Sequence, residues 1–294
     1  MPITIASVFT ADLLDKAYIL LNSIKQNKKP ETDVHYILFI KYTSNCNKAF
    51  CKKYLDDLVS DDFRISILSA STFEKNIYVK GVPYFLFIRC LLPNILLNCD
   101  KLIYLDVDVA CVRPGIEALW NMPMDGLYVR AVIDPPVHWC PGCDEDYHNT
   151  RAVNYFNAGV LLMNLKKIKD DGLADVLEHW CANWDHEFLH CVHRDQTLLN
   201  YLMKDHVALI PFKWNNMVFG VSNVTLSSYE RCLVRMEGYG SCLDSLRDAV
   251  FIHFVGPGKP WNDAELKRGE AVFPYLKQEL AMWKQIEEKY GKRE

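Results

Sequence analysis

No run of this sequence is long and apolar enough to span a bilayer. Its most hydrophobic stretches are interrupted by Arg89, Asn94, Asn98 and Asp100. The opening MPITIASVFTAD has no basic segment leading into a long apolar one, so no signal peptide is expected. An excess of positive charge is missing too. The formal net charge is -4 and the pI is near 6.1. That excludes a global attraction to nucleic acid or anionic lipid and leaves only local basic surfaces. There is no internal repeat, no low-complexity segment and no second CxxC to accompany the lone CPGC at Cys140 and Cys143. With His138 and His148 nearby, that pair by itself is weak support for zinc. The 11 cysteines are odd in number, and Cys90, Cys99 and Cys111 sit in apolar contexts. Such residues act as small buried hydrophobes in a reducing compartment, and a cytoplasmic location is expected.

What is present fits an ordinary globular chain. Half of the 294 residues are apolar and 24% are charged, enough for one large domain or two modest ones. Ile3–Phe9 reads as a strand, followed by a helix that Asp12 could cap and that Leu13, Ala17, Leu20 and Ile24 would anchor. His35–Ile40 and Arg64–Leu68 are further strands, with a helix over Asn47–Leu58 between them. Pro83–Leu97 reads as helical despite Pro93, and leads into a strand over Leu102–Asp108. This rhythm predicts a mostly parallel sheet covered by helices, with binding sites beyond the carboxyl ends of the strands. Strands are also expected at Leu127–Ile133, Gly159–Asn164, Val207–Pro211 and Val250–Phe254. Helices are expected within Gly172–Cys191, over Arg194–Met203 and in the tail Ala264–Tyr290. Asp134–Ala152, rich in Pro, Cys, Asp and His, reads as a long irregular loop.

The stretch YLDVDVACVRPG ends an apolar run with two carboxylates one residue apart. In an extended strand Asp106 and Asp108 share a face, with Val107 turned away. Two like charges there raise each other's pKa unless a cation lies between them, and Mg²⁺ or Mn²⁺ prefers such oxygen ligands. Alone, Asp-x-Asp is a frequent accident. A lone His253 at the end of another strand, followed by GPGKPW, strengthens the case. Histidine and two carboxylates can hold one metal, while Lys259 neutralises phosphate charge.

YLDVDV, YFNAGVLLMNLKKI, DQTLLN and IHFVGPGKPW, in this order, resemble the retaining glycosyltransferases of family 8 from Ile3 to about Trp261. The resemblance implies an α/β, GT-A fold: a Rossmann-like, mostly parallel central sheet flanked by helices, with a smaller acceptor-side subregion. It implies a catalytic domain over residues 1–261 and a C-terminal helical extension, 262–294, packed on or beside it. It further implies a UDP-glucose or UDP-galactose donor, Mn²⁺ (or Mg²⁺) as the ion, and a carbohydrate or glycolipid acceptor. By the resemblance, the metal ligands are Asp106, Asp108 and His253. Thr10, Ala11 and Asp12 cradle uracil and ribose; Arg89 and Val107 also face the donor. Asn157, Ala158 and Gly159 line the sugar and nucleotide pocket, and Gly256 with Lys259 binds the diphosphate. Asp195, Gln196 and Asp134 approach the transferred sugar. Relatives commonly carry a polar residue where this chain has Leu13–Leu14, a departure that removes the side-chain contact to uracil expected there while main-chain contacts could survive.

Two mechanisms stay open, a covalent one in which Gln196 stands nearest the nucleophile role and a same-face one in which departing UDP takes the acceptor's proton. Competing classes fit less well. A haloacid-type phosphatase would carry Thr where Ala110 stands, and a sugar nucleotidyltransferase needs a glycine-rich basic loop where this chain has VFTADLLDK. A self-glycosylating or weakly turning-over carbohydrate-binding protein lacks an isolated tyrosine-rich acceptor segment here. The tail mixes Lys277, Lys284, Lys289, Lys292 and Arg293 with several Glu, which dilutes a basic patch and leaves peripheral membrane contact open.

Overall fold

Strands that read as unbroken apolar runs need cover on both faces, and the computed structural model supplies it. It describes residues 2–76, 83–134, 154–183, 193–219, 237–239, 242–256, 259–262 and 276–293. Seven strands form the main sheet: β1 (Ile3–Thr10), β2 (Val34–Lys41), β3 (Phe63–Ser69), β4 (Leu102–Leu105), β6 (Val129–Ile133), β7 (Phe156–Met163) and β8 (Val207–Leu209), in the order β3-β2-β1-β4-β7-β6-β8. All neighbouring pairs are parallel except those of β7, which runs antiparallel to β4 and β6. A second sheet, β5-β10-β9, joins Val109–Cys111, Phe251–Val255 and Asn216–Phe219.

Among the described residues the helices are α1 (Leu14–Asn27), α2 (Lys48–Tyr54), α3 (Ile88–Ile95), α4 (Ile116–Trp120), α5 (Leu165–Asp170), α6 (Leu173–Ala182), α7 (Arg194–Met203), α8 (Cys242–Leu246) and α9 (Leu276–Tyr290). Alternation along the central strands divides the core. Ile103, Leu105, Val160 and Leu162 pack with α1, whereas Leu102, Tyr104, Leu161 and Met163 pack with α3 and α6. A third cluster ties Ile19 of α1 and Phe254 of β10 to Trp283, Ile286 and Tyr290 of α9. The last helix is thus part of the packing under β10, and Asn22 Nδ2 donates to the Tyr290 carbonyl at 2.8 Å.

Several boundaries differ from the sequence expectation. Ala11–Leu13 forms a 3₁₀ turn and α1 begins at Leu14, so Asp12 makes no side-chain cap. Asn47 does cap α2, accepting from Phe50 N at 3.0 Å, but Phe50 lies on the surface, stacked on Tyr54. The helix expected over Pro83–Leu97 is split into a 3₁₀ turn, Tyr84–Phe87, and α3, which ends two residues after Pro93. Proline removes one helical N–H, consistent with that early end. The strand expected over Leu102–Asp108 stops at Leu105, and Asp106–Asp108 form a turn closed by Val109 N donating to the Asp106 carbonyl at 3.2 Å. The two carboxylates therefore meet through a turn, not through strand alternation. Strands β5 and β9 were not expected as such. The CPGC pair, its neighbouring histidines and the rest of the loop after Asp134 lie outside the described residues, as do 263–275 of the tail. Cys90 and Cys111 are buried free thiols and Cys99 is half-buried. No described helix is long and apolar enough to cross a membrane.

Candidate active site

The carboxyl ends of β1 and β4 open onto a cavity of about 300 Å³ whose lining includes Thr10, Leu13, Arg89, Asp106, Val107 and Asp108. A larger cleft, about 550 Å³, lies at the opposite end of the sheet beside Thr4, His35 and Trp120. The smaller one adjoins the clustered ionisable groups and lies where parallel sheets place ligands.

Register builds the cluster. His253 of β10 pairs with Val109 of β5 on one side and Met217 of β9 on the other. Phe254 N donates to the Asp108 carbonyl at 3.0 Å, which holds the acidic turn against β10. Asp106, Asp108 and His253 can each offer a ligand atom with all three atoms within 4.8 Å of one another. His253 Nε2 lies 3.2 Å from Asp108 Oδ1, a buried oxygen that accepts no well-aligned hydrogen bond among the described residues. Two carboxylate oxygens, one of them buried and orphaned, and an imidazole nitrogen fit a divalent cation such as Mn²⁺ or Mg²⁺.

Cations of the chain already flank this cluster. Lys259 Nζ donates to Asp108 Oδ2 and to the Phe254 carbonyl, both at 2.5 Å. Burial opposes the charge on Asp108, yet the Lys259 ammonium holds its carboxyl well below the usual range. On the other side, Arg89 Nε meets Asp195 Oδ2 at 2.6 Å, and its Nη1 reaches the Ala158 carbonyl at 2.7 Å and Asp106 Oδ1 at 3.4 Å. Its guanidinium also lies 4.9 Å from the centre of the Tyr104 ring, whose hydroxyl donates to Asp106 Oδ1 at 2.8 Å. Burial pushes the Asp195 carboxyl above its ordinary range even though Arg89 opposes the rise. Asp195 follows Arg194, whose φ of +47° is rare for a non-glycine residue and costs about 1 kcal/mol. That bend starts α7 so that Asp195 and Gln196 both turn inward.

Deeper in, Gln196 uses both ends of its amide. Nε2 donates to Asp134 Oδ2 at 2.9 Å, and Oε1 accepts from Ala158 N at 2.9 Å. Asn157 Nδ2 reaches the same Asp134 oxygen at 3.1 Å. Gly159 has a steric reason to be glycine: an added Cβ would sit 2.1 Å from His253 Cε1 and 2.6 Å from Nδ1. Replacing Gly159 with Ala is therefore expected to displace the imidazole and cost about 1–3 kcal/mol. Urea unfolding and Mn²⁺ titration check this, and an alanine variant matching the parent in both would refute the packing argument.

The sequence-derived candidates separate clearly. Asp106, Asp108, His253, Lys259, Arg89, Asp195, Gln196, Asp134, Asn157, Ala158 and Gly159 form one connected polar network. Thr10 and Val107 line the adjoining cavity, Ala11 is buried next to Thr10, and Asp12 is exposed on the following turn. Gly256, with φ +82°, makes the left-handed turn that ends β10. Two members escaped the sequence reading. Tyr104 looked like an ordinary strand residue. Asn215 is wholly buried in a polar break, Asn215–Asn216, between the buried Trp214 and Met217; polar residues in such a setting were the available signal.

Comparison with known proteins agrees with this architecture. The model for glycosyl transferase family 8 matches residues 4–265. The lipopolysaccharide 1,2-glucosyltransferase of Escherichia coli K12 is 23% identical over 276 residues, covering 91% of this chain and 73% of that protein. A second Escherichia coli protein of that name is 27% identical over 168 residues, 56% of this chain and 45% of its own length. Among solved structures, galactosyltransferase LgtC in complex with donor and acceptor sugar analogues superposes with a TM-score of 0.66 at 19% identity, covering 99% of this chain and 98% of that one. The bifunctional glycosyltransferase WbbM gives 0.69 at 17% identity, with 97% of this chain covering 51% of that one. The sheet order and helical layers are those of the GT-A fold, and with the family model spanning nearly its whole length the chain belongs to glycosyl transferase family 8.

Proposed function

We propose that this protein transfers a hexose, glucose or galactose, from its UDP donor to a glycan with retention at the anomeric carbon, assisted by Mn²⁺. The observation that carries the reading is the meeting of Asp106, Asp108 and His253 beside Lys259 and Arg89, at the mouth of the cavity that Thr10 and Val107 line. Asp106, Asp108 and His253 would hold the ion; when bound there it supplies Lewis-acid neutralisation of the diphosphate. Lys259 and Arg89 add cationic charge at the side where the leaving group develops its own. Thr10 and Ala11 would meet uracil and ribose at the end of β1, with Asp12 at the rim, and Gly256 would let the backbone turn close to the diphosphate.

Asp195, Gln196 and Asp134 would orient the sugar hydroxyls. Gln196 Oε1 is engaged by Ala158 N, which speaks against its use as a nucleophile. A same-face route fits better: the C1–O bond to UDP breaks, the acceptor oxygen bonds C1 on that face, and its proton passes to the departing phosphate oxygen. We assign this activity to residues 1–261, with 262–294 as a helical extension. The Escherichia coli relatives named for lipopolysaccharide support a glycolipid carbohydrate as acceptor.

Calorimetric titration with UDP, UDP-glucose and UDP-galactose, in Mn²⁺ and in EDTA, tests the reading. Binding at least about tenfold tighter with Mn²⁺ is expected, and the tighter sugar nucleotide then goes onto a glycan array with UDP release as readout. Equal affinity in EDTA would overturn the metal assignment. UDP release accompanied by a mass gain on the protein itself would replace glycan transfer with self-glycosylation.

A further inference from the structure

We infer that Asn215 is a positioning residue which fixes the tautomer of His253, so that the Nε2 lone pair is the one presented to a divalent cation. The inference rests on the metal reading above and adds a residue that reading did not use. Donors and acceptors alternate along a buried chain of side chains. Gly159 N donates to Asn157 Oδ1 at 2.9 Å, and a backbone N–H can only donate. At the other end of the same amide, Nδ2 donates to Asp134 Oδ2 at 3.1 Å. Both contacts fix Asn157 in one orientation. Its Oδ1 also faces Asn215 at 2.8 Å, so Asn215 must donate there through Nδ2. Asn215 is thereby left with Oδ1 toward His253 Nδ1, 2.9 Å away, and that nitrogen has to carry a proton.

Every member is buried: Asp134 is 5% exposed, Asn157 8%, Asn215 0% and His253 4%. Water therefore does not compete for these bonds, and reversing any one of them would leave two donors or two acceptors face to face. The consequence appears at the opposite edge of the ring. With Nδ1 protonated, a neutral imidazole has its lone pair on Nε2, and Nε2 points at Asp108 Oδ1 from 3.2 Å. Two lone pairs at that distance repel unless a proton or a metal ion lies between them. The relay thus prepares the ring as a metal ligand in the way a hydrogen-bonded partner does for other ligating histidines. It reaches from Asp134, beside the sugar-orienting Gln196, to the metal ligand through side chains just after β6, on β7, just before β9 and on β10.

The test compares Asn215→Leu, which removes the acceptor, with Asn215→Asp, which keeps an acceptor at the same place. Two readouts are taken on the full chain. Long-range ¹H–¹⁵N spectra of metal-free protein labelled in histidine report which ring nitrogen carries the proton, and titration with Mn²⁺ plus UDP reports affinity. Wild type and Asn215→Asp are expected to show protonated Nδ1. Asn215→Leu is expected to lose that preference and to bind Mn²⁺ about 10–100-fold more weakly, with Asn215→Asp keeping the tautomer but recovering only part of the affinity, because its second oxygen faces Asn157 Oδ1 with no proton between them. An unchanged tautomer and affinity in Asn215→Leu would overturn the inference. If the leucine variant does not fold, a bare Nδ1 in Asn215→Asp would overturn it equally. A wild type that binds no Mn²⁺ overturns the metal reading, and the orienting role with it, even where the tautomer is as described.

Discussion

Asp108→Asn is expected to reduce sugar transfer by about 10³-fold while leaving the fold in place. The substitution keeps the shape of the side chain and an oxygen for Lys259, whose Nζ also holds the Phe254 carbonyl at 2.5 Å. What disappears is the negative charge. Asp108 is the carboxylate that Lys259 and His253 both address, at 2.5 and 3.2 Å. An amide at that place has only a neutral oxygen to offer a divalent ion, and the three-ligand set falls to one carboxylate and one imidazole. The loss to stability should be small, about 1–2 kcal/mol, because Lys259 is 24% exposed and can turn to solvent. Transfer assays with the preferred UDP-sugar, calorimetry with UDP and Mn²⁺, and thermal unfolding separate the two effects. Activity within tenfold of the parent, or unchanged Mn²⁺-dependent UDP binding, would sink the assignment of Asp108 as a ligand.

Arg89→Leu should instead damage the fold, by about 3–5 kcal/mol, because it strips the cation from a buried pair and leaves the charge of its partner behind. Arg89 is 11% exposed and Asp195 8%, and their contact at 2.6 Å is joined by the bond from Arg89 to the Ala158 carbonyl. Its loss would also free Asp106 from a cationic neighbour, leaving it the Tyr104 hydroxyl among the described residues. The deficit should depend on pH with a defined sign. The folded-state pKa of Asp195 is already raised by burial, with Arg89 opposing the rise; without Arg89 it goes higher still. Such a group is least harmful where it is protonated in both states and most harmful once pH exceeds its folded pKa. Urea unfolding should therefore show a smaller deficit near about pH 5 than near about pH 8. The double variant Arg89→Leu with Asp195→Asn should recover much of the stability but not the activity. A single variant as stable as the parent at both pH values would refute the buried-pair argument.

The alternating layers were legible because apolar periodicity is a local property. Ile3–Thr10, Val34–Lys41 and Arg194–Met203 lie within a residue or so of where the pattern puts them. The acidic pair was legible as a pair, but for the wrong reason. Strand alternation was expected to align Asp106 and Asp108, whereas a tight turn does so, and turns after buried strands leave little mark in hydropathy. His253 and Lys259 stood out in their own stretch, a lone histidine at a strand end before GPGKPW, and motif resemblance then joined them to the acidic pair, since nothing local ties residue 253 to residue 108. Asn215 stayed hidden for a related reason. Its role depends on a three-dimensional chain of hydrogen bonds through Asn157, and one sequence offers only a polar residue in an apolar neighbourhood. The 3₁₀ turn at Tyr84–Phe87 shows a third limit, where a helical pattern persists but Pro83 and Pro93 decide how much of it is α-helix.

The insertion of β10 between β5 and β9 has a further consequence, for the protein while it is being made. A ribosome delivers Asp106 and Asp108 long before their partners; Lys259 follows Asp108 by 151 residues. The four strands β3-β2-β1-β4 can associate from the first part of the chain alone, and domains do begin to fold from the amino terminus during synthesis. The acidic turn would then stand at the edge of a nascent sheet with neither its histidine nor its lysine. Only when β10 arrives, and α9 closes over Phe254 through Trp283 at 5.2 Å, do the separated groups meet. Translation order therefore keeps the acidic turn without His253 and Lys259 until β10 has left the tunnel.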